Sequence, residues 1–112
     1  MSKLTKDDLY TFRDFCLKWM DKLQLSDWDC AFRLEKIPGC NARVSGNVCT
    51  RKALFRLSTE HEDFVDLEDS AKHECIELLL MDISVMALNY YSDAYVDNEV
   101  HRVVNRLMKA LK

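Results

Sequence analysis

The sequence predicts an α+β domain: an N-terminal helix, a small three-stranded antiparallel sheet, a long central helix and a C-terminal helix. Three observations predict it. The apolar spacing changes from a helical period to strict alternation after Ser26, and returns to a helical period near Leu67. Only two glycines and one proline occur in 112 residues, too few for the tight turns of a sandwich or barrel. A stretch from about Leu67 to about Tyr90 contains no helix breaker at all. The length suits one domain spanning residues 1–112.

The first helix is predicted from Thr5 to about Leu23. Leu9, Phe12, Cys16, Trp19, Met20 and Leu23 recur at steps of three, four, three, one and three and form one buried stripe. Thr5 followed by Asp8 has the spacing of a capping box, and Asp7 and Asp8 suit the positive end of the helix dipole. The alternation of Trp28, Cys30, Phe32 and Leu34 with Asp29, Ala31, Arg33 and Glu35 predicts a half-buried strand, ended by Ile37-Pro38-Gly39. Ala42, Val44, Gly46 and Val48 share one face of a second strand, where Gly46 signals a bulge or a close backbone approach. Thr50-Arg51-Lys52 reads as a turn into a third strand carrying Ala53, Phe55 and Leu57. Short connections throughout predict an antiparallel meander.

Residues 58–68 are polar and acidic, as in a loop. The long helix that follows is apolar on most sides after Glu77, which predicts a central, largely buried position. Tyr91 to Val96 reads as a connection. Asp97 then has the chemistry to cap a last helix, whose buried face is Val100, Val103, Val104, Leu107 and Leu111.

A net charge of -3 without a basic stripe argues against nucleic acid as a partner. No run approaches the roughly 20 apolar residues of a membrane span. The opening MSKLTKDDLY is charged and lacks a signal-peptide core, so a cytoplasmic location is expected. The five cysteines, odd in number and without a CxxC pair, read as buried thiols of a reducing compartment.

One window carries chemistry: Lys72-His73-Glu74-Cys75-Ile76-Glu77. On a helix His73 and Glu77 are one turn apart on the same face, so an imidazole nitrogen and a carboxylate oxygen can hold one ion. Glu74, offset by roughly 100°, stands beside that ion, where a carboxylate acts as general base toward a metal-bound water. This is the logic of the HExxH zinc helix with glutamate in place of the second histidine, and Zn²⁺ accepts carboxylate oxygen. A catalytic zinc needs a third protein ligand. His101, in the first turns of the last helix, is the first candidate; Glu99 is the alternative and otherwise a hydrogen-bonding partner for a ligand. His61, in the polar loop, is expected to face solvent. The plainer reading of HExxE is a satisfied histidine among surface acids. Against it, the motif opens directly onto Leu78-Leu79-Leu80-Met81, and charges beside buried surface need a partner or an ion.

Most of the chain resembles the small zincin-like metallopeptidases of tailed bacteriophages, a group distantly similar to the SprT-like proteins. The likeness is carried by Leu25-Ser26-Asp27-Trp28 before the first strand, by Ala42-Arg43-Val44 and Ala53-Leu54-Phe55-Arg56-Leu57, by Ala71 through Leu80, and by Glu99-Val100-His101-Arg102-Val103-Val104. It implies a minimal zincin-like fold, phage or prophage origin and a role in the cytoplasm of an infected bacterium. It also implies zinc on His73, Glu77 and a residue of the last helix, with a peptide or protein as substrate. The departure is Glu77, where zincins have histidine. It opens a second expectation: a weakly active or inactive zincin-like module that binds and modulates a host protein.

Overall fold

A computed structural model describes residues 3–112. The elements follow in the order α1 (Lys6–Lys22), β1 (Asp29–Glu35), β2 (Ala42–Asn47), β3 (Lys52–Ser58), α2 (Leu67–Ala87) and α3 (Asp93–Ala110), which is the predicted α+β order. Thr5 precedes α1 in extended backbone, and its N–H donates to the Asp8 carboxylate at 2.8 Å. Phe12, Cys16, Trp19 and Met20 form the buried stripe of α1, as their spacing requires. They meet Phe55 and Leu57 of β3 and Ala71, Cys75 and Leu78 of α2 in one core.

The sheet is mixed, not the expected antiparallel meander. Its order is β1-β3-β2: β3 pairs antiparallel with β2 and parallel with β1, with Phe32 opposite Phe55. The reason lies in burial. β3 carries Ala53, Phe55, Leu57 and Ser58 fully inside and half-buries Leu54 and Arg56 between them, so it is covered as a central strand is, with both edges paired. Phe32 and Phe55 stack with centroids 5.1 Å apart. The six-residue link Lys36–Asn41 easily steps over one strand position, about 10 Å. β2 is thereby left as an edge strand beside α2. The β2–β3 connection turns at Arg51, whose φ is 58°. Asn47 stabilises that turn by accepting from the Cys49 and Thr50 N–H groups at 2.9 and 3.1 Å. The Arg51 guanidinium lies over the Trp28 ring and donates to Asp82 at 2.8 Å, tying the hairpin to α2.

Gly46 marks a close approach. A Cβ there would stand 3.0 Å from Trp28 Cζ3 and 3.1 Å from Met81 Sδ. The Trp28 ring is buried under Arg51 and cannot swing out cheaply. Gly46→Val is therefore expected to destabilise the fold by about 2 kcal/mol, read as a lower urea midpoint at unchanged m-value.

Three helix expectations change. α2 ends at Ala87 rather than near Tyr90, and only its first half is central. Ser70 to Leu78 are buried apart from His73 and Glu77, whereas Leu79, Ile83, Val85, Met86 and Leu88 are exposed. Apolar composition alone does not decide burial, because the sheet and α1 are too short to cover a helix of 21 residues. The connection to α3 is shorter than expected. Ser92 caps α3 by accepting from the Tyr95 N–H at 3.2 Å, so Asp97 lies inside the helix instead of capping it. Val96 and Val104 are the buried residues of α3, and Val103 is exposed.

The far end of α3 is held by Lys72, itself 7% exposed. Its Nζ donates to the carbonyls of Met108 (2.7 Å) and Leu111 and lies 5.0 Å from the Trp19 ring centroid. A cation at a helix C-terminus satisfies orphan carbonyls and the dipole together. Lys72→Met keeps the stem and removes the charge, and is expected to cost about 1–2 kcal/mol. The loss should appear as faster amide exchange in residues 107–111.

The cysteines are only partly buried thiols: Cys16 and Cys75 are buried, Cys30 and Cys40 half-buried and Cys49 exposed. Burial holds the Cys16 thiol far above its ordinary range and pushes Cys30 up to about 11. Among the described residues, no helix is long and apolar enough to cross a membrane.

Candidate metal centre

The first half of α2, the edge strand β2 and the middle of α3 enclose a cleft of about 660 Å³. His73, Glu74 and Glu77 enter it from α2, His101 and Asp97 from α3, and Arg43 from β2. Each α2 group is there because of helical spacing. His73 and Glu77 stack one turn apart, and Glu74, offset around the helix, is 5% exposed. α3 crosses α2 with His101 over that turn.

His73, Glu74 and Glu77 each offer a donor atom within 4.8 Å of the others. His73 Nδ1 lies 3.0 Å from Glu74 Oε2 and 3.8 Å from Glu77 Oε1. His101 Nε2 lies 3.6 Å from the same Glu77 oxygen, and the two imidazole centroids are 6.4 Å apart. Ligands of a tetrahedral zinc at 2.0–2.2 Å stand about 3.3–3.6 Å from one another. The spacings across Glu77 are within a few tenths of an ångström of that requirement. His101 is also oriented for it. Its Nδ1–H donates to the Asp97 carbonyl at 2.8 Å, which leaves the Nε2 lone pair directed at Glu77.

The electrostatics have the same sense. Two carboxylates, Glu74 and Glu77, share a half-buried space. Burial pushes Glu77 up to about 7, with the Glu74 charge adding to it and the two histidines opposing it. The hydrogen bond to Glu74 raises the His73 pKa above its ordinary value, outweighing burial. The cluster thus holds protons where a divalent cation could replace them, and the groups that come within 4.8 Å of one another are one imidazole and two carboxylates, with the second imidazole beside Glu77.

Two expected residues lie elsewhere. Glu99 pairs with Arg102 one turn along α3 and lines a groove on the other side of the α2–α3 pair, so the fold does not bring it to the cluster. His61 does not face solvent: it is 2% exposed. Its Nδ1–H donates to the Glu62 carbonyl at 2.9 Å, and its Nε2 accepts from the Ser70 hydroxyl at 2.7 Å. Those two partners satisfy both ring nitrogens, which is what makes an imidazole tolerable inside. Sequence reasoning missed Asp97 and Arg43 as cleft residues. The i,i+4 spacing of Asp97 and His101 was the available signal for the first; nothing local marked the second.

No protein-family model, no curated protein and no solved structure matches the chain.

Proposed function

We propose that the chain is a zinc-dependent hydrolase of zincin-like type acting on a peptide or protein, in the bacterial cytoplasm and of phage origin as the resemblance implies. The observation that carries the hydrolase reading is the convergence of His73, Glu74 and Glu77 within 4.8 Å of one another at a cleft, with His101 Nε2 3.6 Å from Glu77 and the Glu74 carboxylate buried. His73, Glu77 and His101 would hold the ion. A bound zinc would supply a more acidic water and polarise the scissile carbonyl. Glu74 takes a proton from the attacking water and returns it to the leaving amine. The unpaired edge of β2, whose Ala42, Arg43 and Val44 line the same cleft, offers main-chain groups to an extended peptide.

A second reading is favoured by the burial of Glu74 and its place within the tight group of donors. Glu74 would then be a ligand of a closed site, and the protein a metal-stabilised module that binds a host protein.

Native mass spectrometry of the tag-free protein tests the centre that both readings share. One zinc per chain is expected in the wild type, lost in His73→Ala and weakened in His101→Ala. A chain that takes up no zinc at neutral pH, with zinc supplied in excess, would sink the proposal.

A further inference from the structure

The face of the sheet turned away from the core carries a row of charge that no run of sequence displays. Phe32, Phe55 and Val44 pack into the core, so by the alternation of the pleat their neighbours Arg33, Arg56 and Arg43 point the other way. Strand register sets Arg33 opposite Arg56 and Arg56 opposite Arg43, one arginine from each strand. With strands about 4.8 Å apart, the three stems stand in a line about 10 Å long. Like charges directly across a sheet are destabilising. One carboxylate offsets them: Glu35 places one oxygen 3.8 Å from Arg33 and the other 3.7 Å from Arg56. Nothing equivalent stands between Arg56 and Arg43. Among the described residues Arg43 has no acidic partner, and its Nε–H donates to Cys40 Sγ at 3.4 Å. Arg56 Nε is buried without a hydrogen-bond acceptor. A half-buried arginine set between two others, with a donor left unmet, is a local conflict of the kind that folds keep at binding sites.

We infer that this row binds an acidic segment of a partner protein, one of whose carboxylates takes the place between Arg56 and Arg43 that Glu35 holds between Arg33 and Arg56. Glu35 is the chain's own precedent for the ligand: a carboxylate that divides its two oxygens between neighbouring guanidiniums. The planar fork of arginine suits that group better than a lysine would. Nucleic-acid phosphates would meet the same charges. The neighbouring row on this face, however, is Ala31, Leu54 and Ser45, which offers no ring on which a base could stack. The chain as a whole carries a net charge of -3 and repels acidic peptides, so binding of one has to come from a local site. Of the three arginines only Arg43 also lines the cleft, and the inference does not depend on metal.

Fluorescence anisotropy of a labelled octaglutamate peptide with the metal-free protein tests this, at about 50 mM salt where screening is weak. The expected Kd is on the order of 100 µM, with a glutamine peptide of the same length at least about tenfold weaker. Arg56→Gln and Arg43→Gln should each weaken binding by about fivefold. Glu35→Gln should tighten it by about two- to fivefold, because it removes the carboxylate that competes for Arg33 and Arg56. Arg13→Gln makes the same change in net charge on α1, away from the row, and should leave binding unchanged. No binding at about 1 mM protein overturns the inference. So does a glutamine peptide that binds equally well, or a loss in Arg13→Gln as large as in Arg56→Gln. Tighter binding of an eight-nucleotide single-stranded DNA than of the peptide overturns it as well. Each outcome leaves the zinc measurement untouched.

Discussion

Glu74→Gln is expected to keep zinc and lose hydrolysis. Glutamine preserves the size of the side chain and its place beside His73, but it cannot take a proton. As a base acting on the attacking water, Glu74 contributes on the order of 10²–10⁴-fold to rate. Its replacement should leave zinc affinity within about tenfold, the low end of the roughly 10–100-fold cost of a lost partner next to a ligand. The alternative reading has the opposite signature. A ligand contributes about a quarter of the roughly 10–16 kcal/mol that a four-ligand zinc site supplies, so its loss costs two to three orders of magnitude in affinity. Titration of the variant with zinc against a competing chelator separates the two. An affinity unchanged to within about tenfold assigns Glu74 the role of base. A collapse assigns it to the coordination sphere, and the search should then turn from peptide cleavage to a host partner.

How much of this was legible in the sequence depended on whether the signal was local. The helix stripe of α1, the alternation of β1 and the one-turn stacking of His73 and Glu77 are properties of neighbouring residues, and the fold keeps all three. His101 at the cleft followed from the need for α3 to pack on α2. Strand direction did not follow, because a period of two is the same in parallel and antiparallel strands. Only the burial of β3 on both faces, which needs the whole sheet, makes it central. The fate of the Leu79–Leu88 segment was also not local. Its composition demands a cover, but nothing in the sequence says whether this chain or another supplies it. His61 shows the same limit, since Ser70 becomes its partner only once the loop folds back onto the first turns of α2.

In the metal-free protein, stability should fall as pH rises from about 4.5 to about 7, opposite to the usual behaviour of a carboxylate-rich domain. In that window the unfolded chain ionises Glu77 while the folded chain, with Glu77 pushed up to about 7 by burial and by Glu74, still holds the proton. The folded state binds the extra proton, so its advantage is full below the ordinary glutamate range and is lost as pH passes through 7. The raised His73 pKa acts in the same direction, through the proton it shares with Glu74. Discounted for the partial exposure of Glu77, the change amounts to about 2 kcal/mol, or roughly 8 °C in Tm for a domain of this size. Glu77→Gln carries no charge at any pH. With chelator at pH 8 it should therefore melt above the wild type by a similar margin. Zinc at a hundred times its Kd should reverse the order, adding about 2.7 kcal/mol to the wild type and little to the variant. A side chain that destabilises the empty fold and stabilises the loaded one is retained for a cation. If the chelated wild type instead grows more stable with rising pH, and Glu77→Gln is the weaker protein at pH 8, Glu77 is a structural partner of His73 and His101, and the case for a metal centre loses its electrostatic support.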